Sequence, residues 1–148
     1  MSNPSITIGP AEPGDLAAIL DLLSRHGLPH AGLAEHLGEA LLARRAREVV
    51  ASAALEIYGA AALLRSVAVA PELRGQGIGA QIVGAALARA RELGVQRIYL
   101  LTTSAADYFP RFGFRPIARA AVQVTVQASA EFTGACPASA SVLAYDLA

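Results

Sequence analysis

The chain has 148 residues, the size of one domain, and we expect residues 1–148 to fold as a single unit. Twelve arginines balance twelve carboxylates, so the basic excess typical of nucleic-acid-binding proteins is absent. Hydrophobic residues make up 54% of the chain, yet no uninterrupted apolar run reaches the length of a membrane span. We therefore expect neither a nucleic-acid nor a membrane partner.

Cysteine and histidine usage narrows the chemistry further. Cys136 is the only cysteine, so no disulfide can form within the chain, as is typical of the reducing cytoplasm. No charged and apolar leader opens the chain, and we expect a cytoplasmic protein. The histidines at 26, 30 and 36 have no cysteine or acidic partner at metal-ligand spacing, so we expect no metal site.

Hydrophobic periodicity predicts short strands and helices that alternate along the chain. In chain order they are a strand at 6–8, a helix at 15–26, a short helix at 30–37, strands at 40–44, 49–58 and 60–69, a helix at 78–93, a strand at 97–102, a short helix at 105–112, and strands at 114–119 and 141–147. The stretch 122–127 alternates like a strand, with a helix as the alternative. The middle strands form an antiparallel meander, and a β-α-β crossover follows it.

A glycine-rich loop at 74–79, Arg-Gly-Gln-Gly-Ile-Gly, joins a β-branched strand to an apolar helix. Glycines let backbone N–H groups turn toward one point, and the helix that follows adds its unpaired N–H groups and the positive end of its dipole. Such a loop favours phosphate. The P-loop pattern requires Lys, which the chain lacks, and glycines at 75, 77 and 79 do not have the dinucleotide-binding spacing.

The pattern Arg-x-x-Gly-x-Gly formed by Arg74, Gly77 and Gly79 resembles the pyrophosphate-binding motif of the GNAT acetyltransferases. The resemblance extends to Tyr99-Leu-Leu-Thr-Thr and Tyr108-Phe-Pro-Arg-Phe-Gly-Phe. It implies an α/β (α+β) GNAT fold: a mixed central sheet of six to seven strands, two of them parallel and splayed, flanked by about four helices. In that fold the pantetheine arm of acetyl-CoA enters between the splayed strands.

The resemblance also implies which residues bind acetyl-CoA, the co-substrate of the family. The splayed strands leave backbone groups unpaired, and the amides of pantetheine would satisfy them. The residues expected to contact acetyl-CoA are Val67, Ala68, Val69, Arg74, Gly75, Gln76, Gly77, Ile78, Gly79, Thr102, Thr103 and Phe109. No metal takes part in this scheme.

The proton donor to the leaving thiolate departs from the family pattern. Many GNAT enzymes have a tyrosine four residues before the glycine of the closing Gly-Phe, and here that position is Phe109. Tyr108 is one residue away, about 100° around a helix. Tyr108 is the candidate acid, with two alternatives: an aromatic wall residue, or a thiolate that leaves without an enzymic acid.

The base that deprotonates the acceptor amine is also missing from its frequent positions, which correspond to Leu63 and Arg65. A Lys-like ammonium is neutral only about 0.04% of the time at pH 7, so a base or a water chain is needed. Glu56, on the neighbouring strand, is the preferred candidate, and a solvated carboxylate is the alternative. Glu131 and Asp107 are weaker candidates.

Arg65 is a charged residue within an apolar strand, so it needs a partner. Its guanidinium suits a carboxylate, phosphinate or arsinate group of the acceptor, and a salt bridge to Glu56 is the alternative. By alternation we expect Arg65 to share a sheet face with Val67 and Val69. Arg111 would add a second anion contact.

Two branches of the family are similar to this chain. The segment Leu101-Thr-Thr-x-Ala-Ala-Asp-Tyr-Phe is similar to N-acetylglutamate synthase acetyltransferase domains. The tail Glu131-Phe-x-x-x-Cys-Pro-x-Ser-Ala resembles small acetyltransferases of arsenic-resistance operons. Both imply a small amino-acid-like acceptor: glutamate, or an arsenical or phosphinic analogue. Cys136 would line the acceptor pocket, with a structural role as its alternative.

Two other functions are open. One is acetylation of a different amine, a peptide N-terminus or a polyamine, although a polyamine would favour an acidic cleft and Arg65 argues against one. The second is an acetyl-CoA-binding module without activity, favoured by the lack of an obvious acid and base. Because GNAT proteins are commonly dimers, a homodimer is expected.

Overall fold

The computed structural model describes residues 5–147. Seven strands and three α-helices are found there: β1 Ile6–Pro10, α1 Leu16–Arg25, β2 Ala40–Arg45, β3 Glu48–Tyr58, β4 Ala61–Val69, α2 Ile78–Glu92, β5 Arg97–Thr102, β6 Arg115–Ile117, α3 Val124–Gln127 and β7 Ser141–Asp146. Short 3₁₀ helices join several of them. No helix in this part of the chain has both the length and the apolar character to cross a bilayer.

The strands form one mixed sheet in the order β1-β2-β3-β4-β5-β7-β6. Strands β4 and β5 are parallel neighbours, and the other paired strands are antiparallel. The mixed sheet expected from the sequence is confirmed, with seven strands and a single parallel pair. The α2 crossover connects the two parallel strands, as a parallel connection requires.

The two parallel strands separate toward their C-terminal ends. They pair only at Ala61, Ala62 and Leu63, opposite Arg97, Ile98 and Tyr99. Strand β4 then continues through residues 64–69 and β5 through residues 100–102. The expected splay is therefore present, and it opens the sheet beside the glycine loop.

Alternation along β4 packs the two faces of the sheet against different layers. Ala62 and Leu64 belong to the main core with α1 and α2. Ala61 and Leu63 belong to a smaller cluster on the opposite face. That cluster also contains Val126 of α3 and Val122, which lies two residues before α3.

The bulge at Ser66 corrects one expectation. The register of β4 on β3 shifts between Ser52 and Ala54, and Ser66 has φ 58, in the left-handed region. A bulge inserts one extra residue, so the alternation of side chains loses its phase. Arg65 and Val67 therefore do not share a face by simple alternation. The Ser52 hydroxyl donates to the Ser66 carbonyl at 2.7 Å and satisfies that buried oxygen.

The segment before β7 corrects a second expectation, the strand-like reading of 122–127. Val122 and Val126 are 3% and 0% exposed, whereas Val124 is 82% exposed. A strand would place all three on one face, but burial at i and i+4 is the spacing of a helix. The residues accordingly form the single helical turn α3.

Three other elements differ from prediction in extent. The short helix expected at 105–112 is reduced to the 3₁₀ turn Phe109–Phe112, which contains Pro110. The helix expected at 30–37 appears as the later 3₁₀ turn Ala34–Glu39, after Gly32 with φ 81. The strand expected at 114–119 is limited to β6. Pro110 and the left-handed Gly32 explain the first two changes, because proline and a left-handed glycine both interrupt regular helical hydrogen bonding.

Candidate active site

The glycine loop lies between the end of β4 and the start of α2. Gly75 and Gly77 have φ 81 and φ 79, and Gly77 precedes the first residue of α2. A Cβ added at either glycine would meet nothing within 4 Å, so glycine is needed there for backbone conformation and not for space. The first amides of α2 have no intrahelical acceptor and point out of the helix toward the loop.

Gly79 is needed for a different reason. A Cβ at Gly79 would lie 2.7 Å from the Tyr108 hydroxyl oxygen and 3.6 Å from the Val69 side chain. The Tyr108 ring therefore sits directly on the first turn of α2. It also packs edge-on against Phe109 and Phe112, with ring centroids 5.3 and 5.4 Å away.

His26, just after α1, links the end of β4 to the glycine loop. Its Nε2 is 2.8 Å from the Val69 carbonyl oxygen, and Arg74 Nη2 is 3.1 Å from its Nδ1. Because an arginine can only donate, Nδ1 accepts and Nε2 carries the proton given to Val69. Sequence reasoning missed this contact. Its partners are 43 and 48 residues away, and no local pattern signals it.

A single cleft of about 1110 Å³ runs from this loop along the splayed strands. At one end, the glycine-loop end, it is lined by the loop and the start of α2. At the other, the carboxylate end, it is lined by Arg65, Glu131 and Cys136. Of the residues expected to bind acetyl-CoA, those lining the cleft are Val67, Ala68, Val69, Arg74, Gly75, Gly77, Ile78, Gly79, Thr102, Thr103 and Phe109.

Two predicted site residues do not line the cleft: Gln76 and Glu56. Gln76 lies on the exposed outer side of the loop, where its side chain meets solvent. Glu56 is 0% exposed and points into a buried polar cluster. Tyr108 and Arg111, by contrast, both line the cleft, and the Arg111 guanidinium stacks 4.1 Å from the Tyr108 ring centroid.

Arg65 is the centre of the buried cluster and is 2% exposed. Its Nη1 donates to Glu56 Oε2 at 2.8 Å and to the Ala31 carbonyl at 2.7 Å. Its Nη2 donates to the Pro29 carbonyl at 3.2 Å, and its Nε lies 3.4 Å from Glu131 Oε2. The salt bridge to Glu56, the alternative to an acceptor contact, is what the structure contains.

Glu56 is held ionised by its partners. Tyr58 donates to its Oε1 at 2.5 Å, and Arg65 donates to its Oε2. Burial pushes the pKa of Glu56 upward, but these hydrogen bonds outweigh burial and hold the pKa below its ordinary value. Burial and the Glu56 charge together raise the pKa of Tyr58 to about 12. Glu56 therefore has the surroundings of a structural counter-ion, and its role as the base stays a prediction.

Glu131 differs from Glu56 in its position and in the direction of its pKa shift. It follows α3, is 3% exposed and lines the cleft. Burial raises its pKa to about 7, with Arg65 lowering and Glu56 raising it. The neighbouring Cys136 is half-buried, and burial, with the Glu131 charge, raises the pKa of its thiol to about 11. The thiol is thus protonated at neutral pH, which does not suit a nucleophile.

Comparison with known families agrees with this architecture. The family described as "Acetyltransferase (GNAT) domain" matches residues 36–116, more than half of the chain. The matched region contains the glycine loop, both splayed strands and the 3₁₀ turn after Tyr108. The chain therefore belongs to the GNAT acetyltransferase family.

Solved structures show the same fold. N-acetylglutamate synthase from Neisseria gonorrhoeae, complexed with coenzyme A and N-acetyl-glutamate, is similar with a TM-score of 0.84 at 22% identity, over 99% of this chain and 36% of that one. Rv2747 from Mycobacterium tuberculosis, in complex with CoA and NLQ, has a TM-score of 0.78 at 24% identity, over 96% and 99%. The ribosomal-protein-S18-alanine N-acetyltransferase from Escherichia coli has a TM-score of 0.76 at 20% identity, over 97% and 95%. The chain thus spans about a third of the synthase.

Proposed function

We propose that the chain is an acetyl-CoA-dependent N-acetyltransferase that transfers the acetyl group directly to the amine of a small amino-acid-like acceptor. The observation that carries this proposal is the continuity of the cleft. It connects a loop suited to pyrophosphate with a buried charged cluster suited to an amino acid, across the gap between β4 and β5.

The glycine-loop end supports acetyl-CoA as the donor. Its backbone N–H groups and the N-terminus of the 15-residue helix α2 offer positive potential to a pyrophosphate, and Arg74 adds a full charge. Beyond the loop, the facing edges of β4 and β5 are no longer paired with one another. The amides of a pantetheine arm can bond to such edges, as a strand would.

The cleft as a whole supports an acceptor with both an amine and an acid group. The guanidinium of Arg65 is already bonded to Glu56 and to two carbonyl oxygens. Arg111 is exposed, lines the cleft and uses only its Nε in the bond to the Tyr108 carbonyl. We therefore assign Arg111, more than Arg65, to the acceptor's acid group.

The acceptor within this class follows from the family resemblance. Glutamate is implied by the likeness to N-acetylglutamate synthase domains, and an arsenical or phosphinic analogue by the likeness to acetyltransferases of arsenic-resistance operons. We extend the proposal to a cytoplasmic homodimer on the same ground. Size-exclusion chromatography with light scattering tests the dimer.

A second candidate, an amine without an acid group, is favoured by one observation. Because Arg65 is neutralised by Glu56, it no longer opposes a polyamine or peptide N-terminus, and Glu131 would attract either cation. These acceptors differ from glutamate in needing no anion site, so Arg111 would not affect them.

The test is CoA thiol release from acetyl-CoA with a panel of amines. The panel contains L-glutamate, a phosphinic and an arsenical amino acid, an alanyl peptide and spermidine, and acetyl-CoA binding is measured by calorimetry. We expect release with the amino-acid-like amines. Release with spermidine or the peptide alone would favour the second candidate. Binding of acetyl-CoA without release for any amine would leave only a binding module.

A further inference from the structure

The carboxylate end of the cleft has one more negative than positive group when its acids are ionised. Glu56, Arg65 and Glu131 are 0%, 2% and 3% exposed, and one guanidinium serves both carboxylates. His36 approaches Glu56 Oε1 at 3.7 Å but does not line the cleft. A buried uncompensated charge is costly, so this cluster favours either a proton or a cationic ligand on its open side.

The two carboxylates are not equivalent, and only one faces the cleft. Glu56 has a donor on each oxygen, Tyr58 at 2.5 Å and Arg65 at 2.8 Å. Glu131 has a longer ion pair, 3.4 Å to Arg65 Nε, and the Cys136 thiol as a polar neighbour. Glu131 therefore has acceptor capacity left for a ligand that enters the cleft.

We propose that Glu131 binds the ammonium group of the acceptor and accepts its proton before acetyl transfer, so that Glu131 is a catalytic residue. This inference rests on the acetyltransferase function proposed above and names the base for it. Arg65 then has a positioning role. Its salt bridge to Glu56 fixes it in place, and its positive charge allows Glu131 to ionise inside the protein.

Two protons leave the acceptor nitrogen during acetyl transfer. One ammonium proton moves to a Glu131 oxygen, and the nitrogen lone pair that it leaves attacks the thioester carbonyl carbon. This attack forms the C–N bond. The C–S bond then breaks, and its electron pair leaves with the sulfur. A second proton from nitrogen ends on the thiolate, which gives the amide and CoA. Glu131 then returns its proton to water.

The surroundings of Glu131 suit this task. The charged or titratable groups that face it are Arg65 from β4, Glu56 from β3 and Cys136 from its own segment. Burial raises the pKa of Glu131 to about 7, and a base works best when its pKa lies near the working pH. Glu56 does not meet this condition, because its partners lower its pKa.

The test compares the wild type with Glu131→Gln, and with Glu35→Gln, an exposed glutamate, as the matched control. CoA release is followed across about pH 6 to pH 9.5 with L-glutamate and with spermidine as probe amines. General-base catalysis contributes about 100-fold or more. We expect Glu131→Gln to lose at least that factor in kcat/KM for the amine near pH 7, with the KM for acetyl-CoA changed less than about threefold.

The pH profile adds a readout that a structural role would not change. The wild-type rate should rise with increasing pH, with a midpoint near pH 7. Glu131→Gln should lack this rising limb, and its rate should increase only at alkaline pH, where the free amine becomes abundant. Glu131→Asp, which keeps the acid, should retain the limb at a lower rate. Thermal melting with acetyl-CoA confirms that each variant is folded.

The outcomes separate this inference from the function on which it rests. If the wild type is active and Glu131→Gln keeps more than half of that activity near pH 7, the assignment of Glu131 as the base is wrong. The proposed acetyltransferase function is then unaffected. Equal effects on the KM for acetyl-CoA and for the amine would also overturn that assignment. A wild type that binds acetyl-CoA but releases no CoA with any amine of the five-amine panel would overturn both proposals together.

Discussion

At the glycine-loop end of the cleft the groups that face a ligand belong to one short segment, residues 74–79 without Gln76, and are mostly backbone amides. At the carboxylate end they are side chains from β4 and the segment after α3, and two of them, Arg65 and Glu131, are almost fully buried. Arg65 is held in turn by Glu56 of β3, which does not line the cleft. Backbone recognition depends on the local conformation of a loop, whereas buried charges depend on the whole fold. Changes at the two ends should therefore have different consequences: altered acetyl-CoA affinity at one, altered stability and acid-base chemistry at the other.

The largest expected effect is from Arg65→Ala at the carboxylate end. It leaves Glu56 and Glu131 buried without their shared cation, and breaking a buried pair on one side costs about 3–5 kcal/mol. Urea unfolding measures the loss. Arg111→Ala is the control, since an exposed arginine changes stability by no more than about 0.5 kcal/mol. If Arg65→Ala lowers the free energy of unfolding as little as the control does, the ion pairs of Arg65 are not central to stability.

Glu131→Gln should increase stability while it lowers activity. The pKa of Glu131 rises from 4.5 to about 7 on folding, so the folded protein binds the proton more tightly and stability falls as the pH rises through this range. Removing the carboxylate should therefore stabilise the fold by about 3 kcal/mol at about pH 8 and hardly at all below about pH 4.5. Denaturant unfolding at both pH values measures this. A gain in stability that is the same at both pH values would contradict the raised pKa of Glu131 as its cause.

Gly77→Ala tests the glycine-loop end. A left-handed φ of 79 costs a non-glycine residue about 1–2 kcal/mol, so the loop should shift and the KM for acetyl-CoA should rise about tenfold. Gly84→Ala is the matched control, because Gly84 lies in the regular part of α2 with open space around its Cα and should gain about 0.5–1 kcal/mol. Comparable KM values for the two variants would argue against loop conformation as the determinant.

His26→Ala should have a smaller effect at the same end. It removes the hydrogen bonds to the Val69 carbonyl and from Arg74, each with a net contribution of about 1 kcal/mol. We expect the KM for acetyl-CoA to increase about threefold to tenfold with little change in kcat. His26→Gln, which can donate and accept hydrogen bonds, should bring the KM for acetyl-CoA most of the way back to the wild-type value. His30→Ala, which loses only a contact with Ser24, should leave the KM unchanged.

Tyr108→Phe should have the smallest effect. The ring contacts with Phe109 and Phe112 remain, and the hydroxyl lies against Gly79 on the first turn of α2. We expect kcat to stay within about threefold, as for a thiolate that leaves without an enzymic acid. A loss of two orders of magnitude would identify Tyr108 as the proton donor.

The sequence by itself determined the parts of the molecule that depend on local pattern. The change of period from strand to helix across 74–79 predicts β4, the loop and α2, because alternation and glycine conformations are properties of neighbouring residues. The same holds for β5 and β7. It also identified Arg65 and Glu56 as a possible pair, since a charge in an apolar strand needs a partner.

Only the tertiary structure decided which residues meet at the carboxylate end. Arg65 and Glu131 are 66 residues apart in the sequence, and no spacing rule links them. The bulge at Ser66 changes which way the following side chains face, and the helical turn α3 replaces an expected strand because burial at Val122 and Val126 outweighs β propensity. The donor loop is thus readable from its own residues, whereas the acceptor site is not, because buried charges are balanced over long distances in the chain.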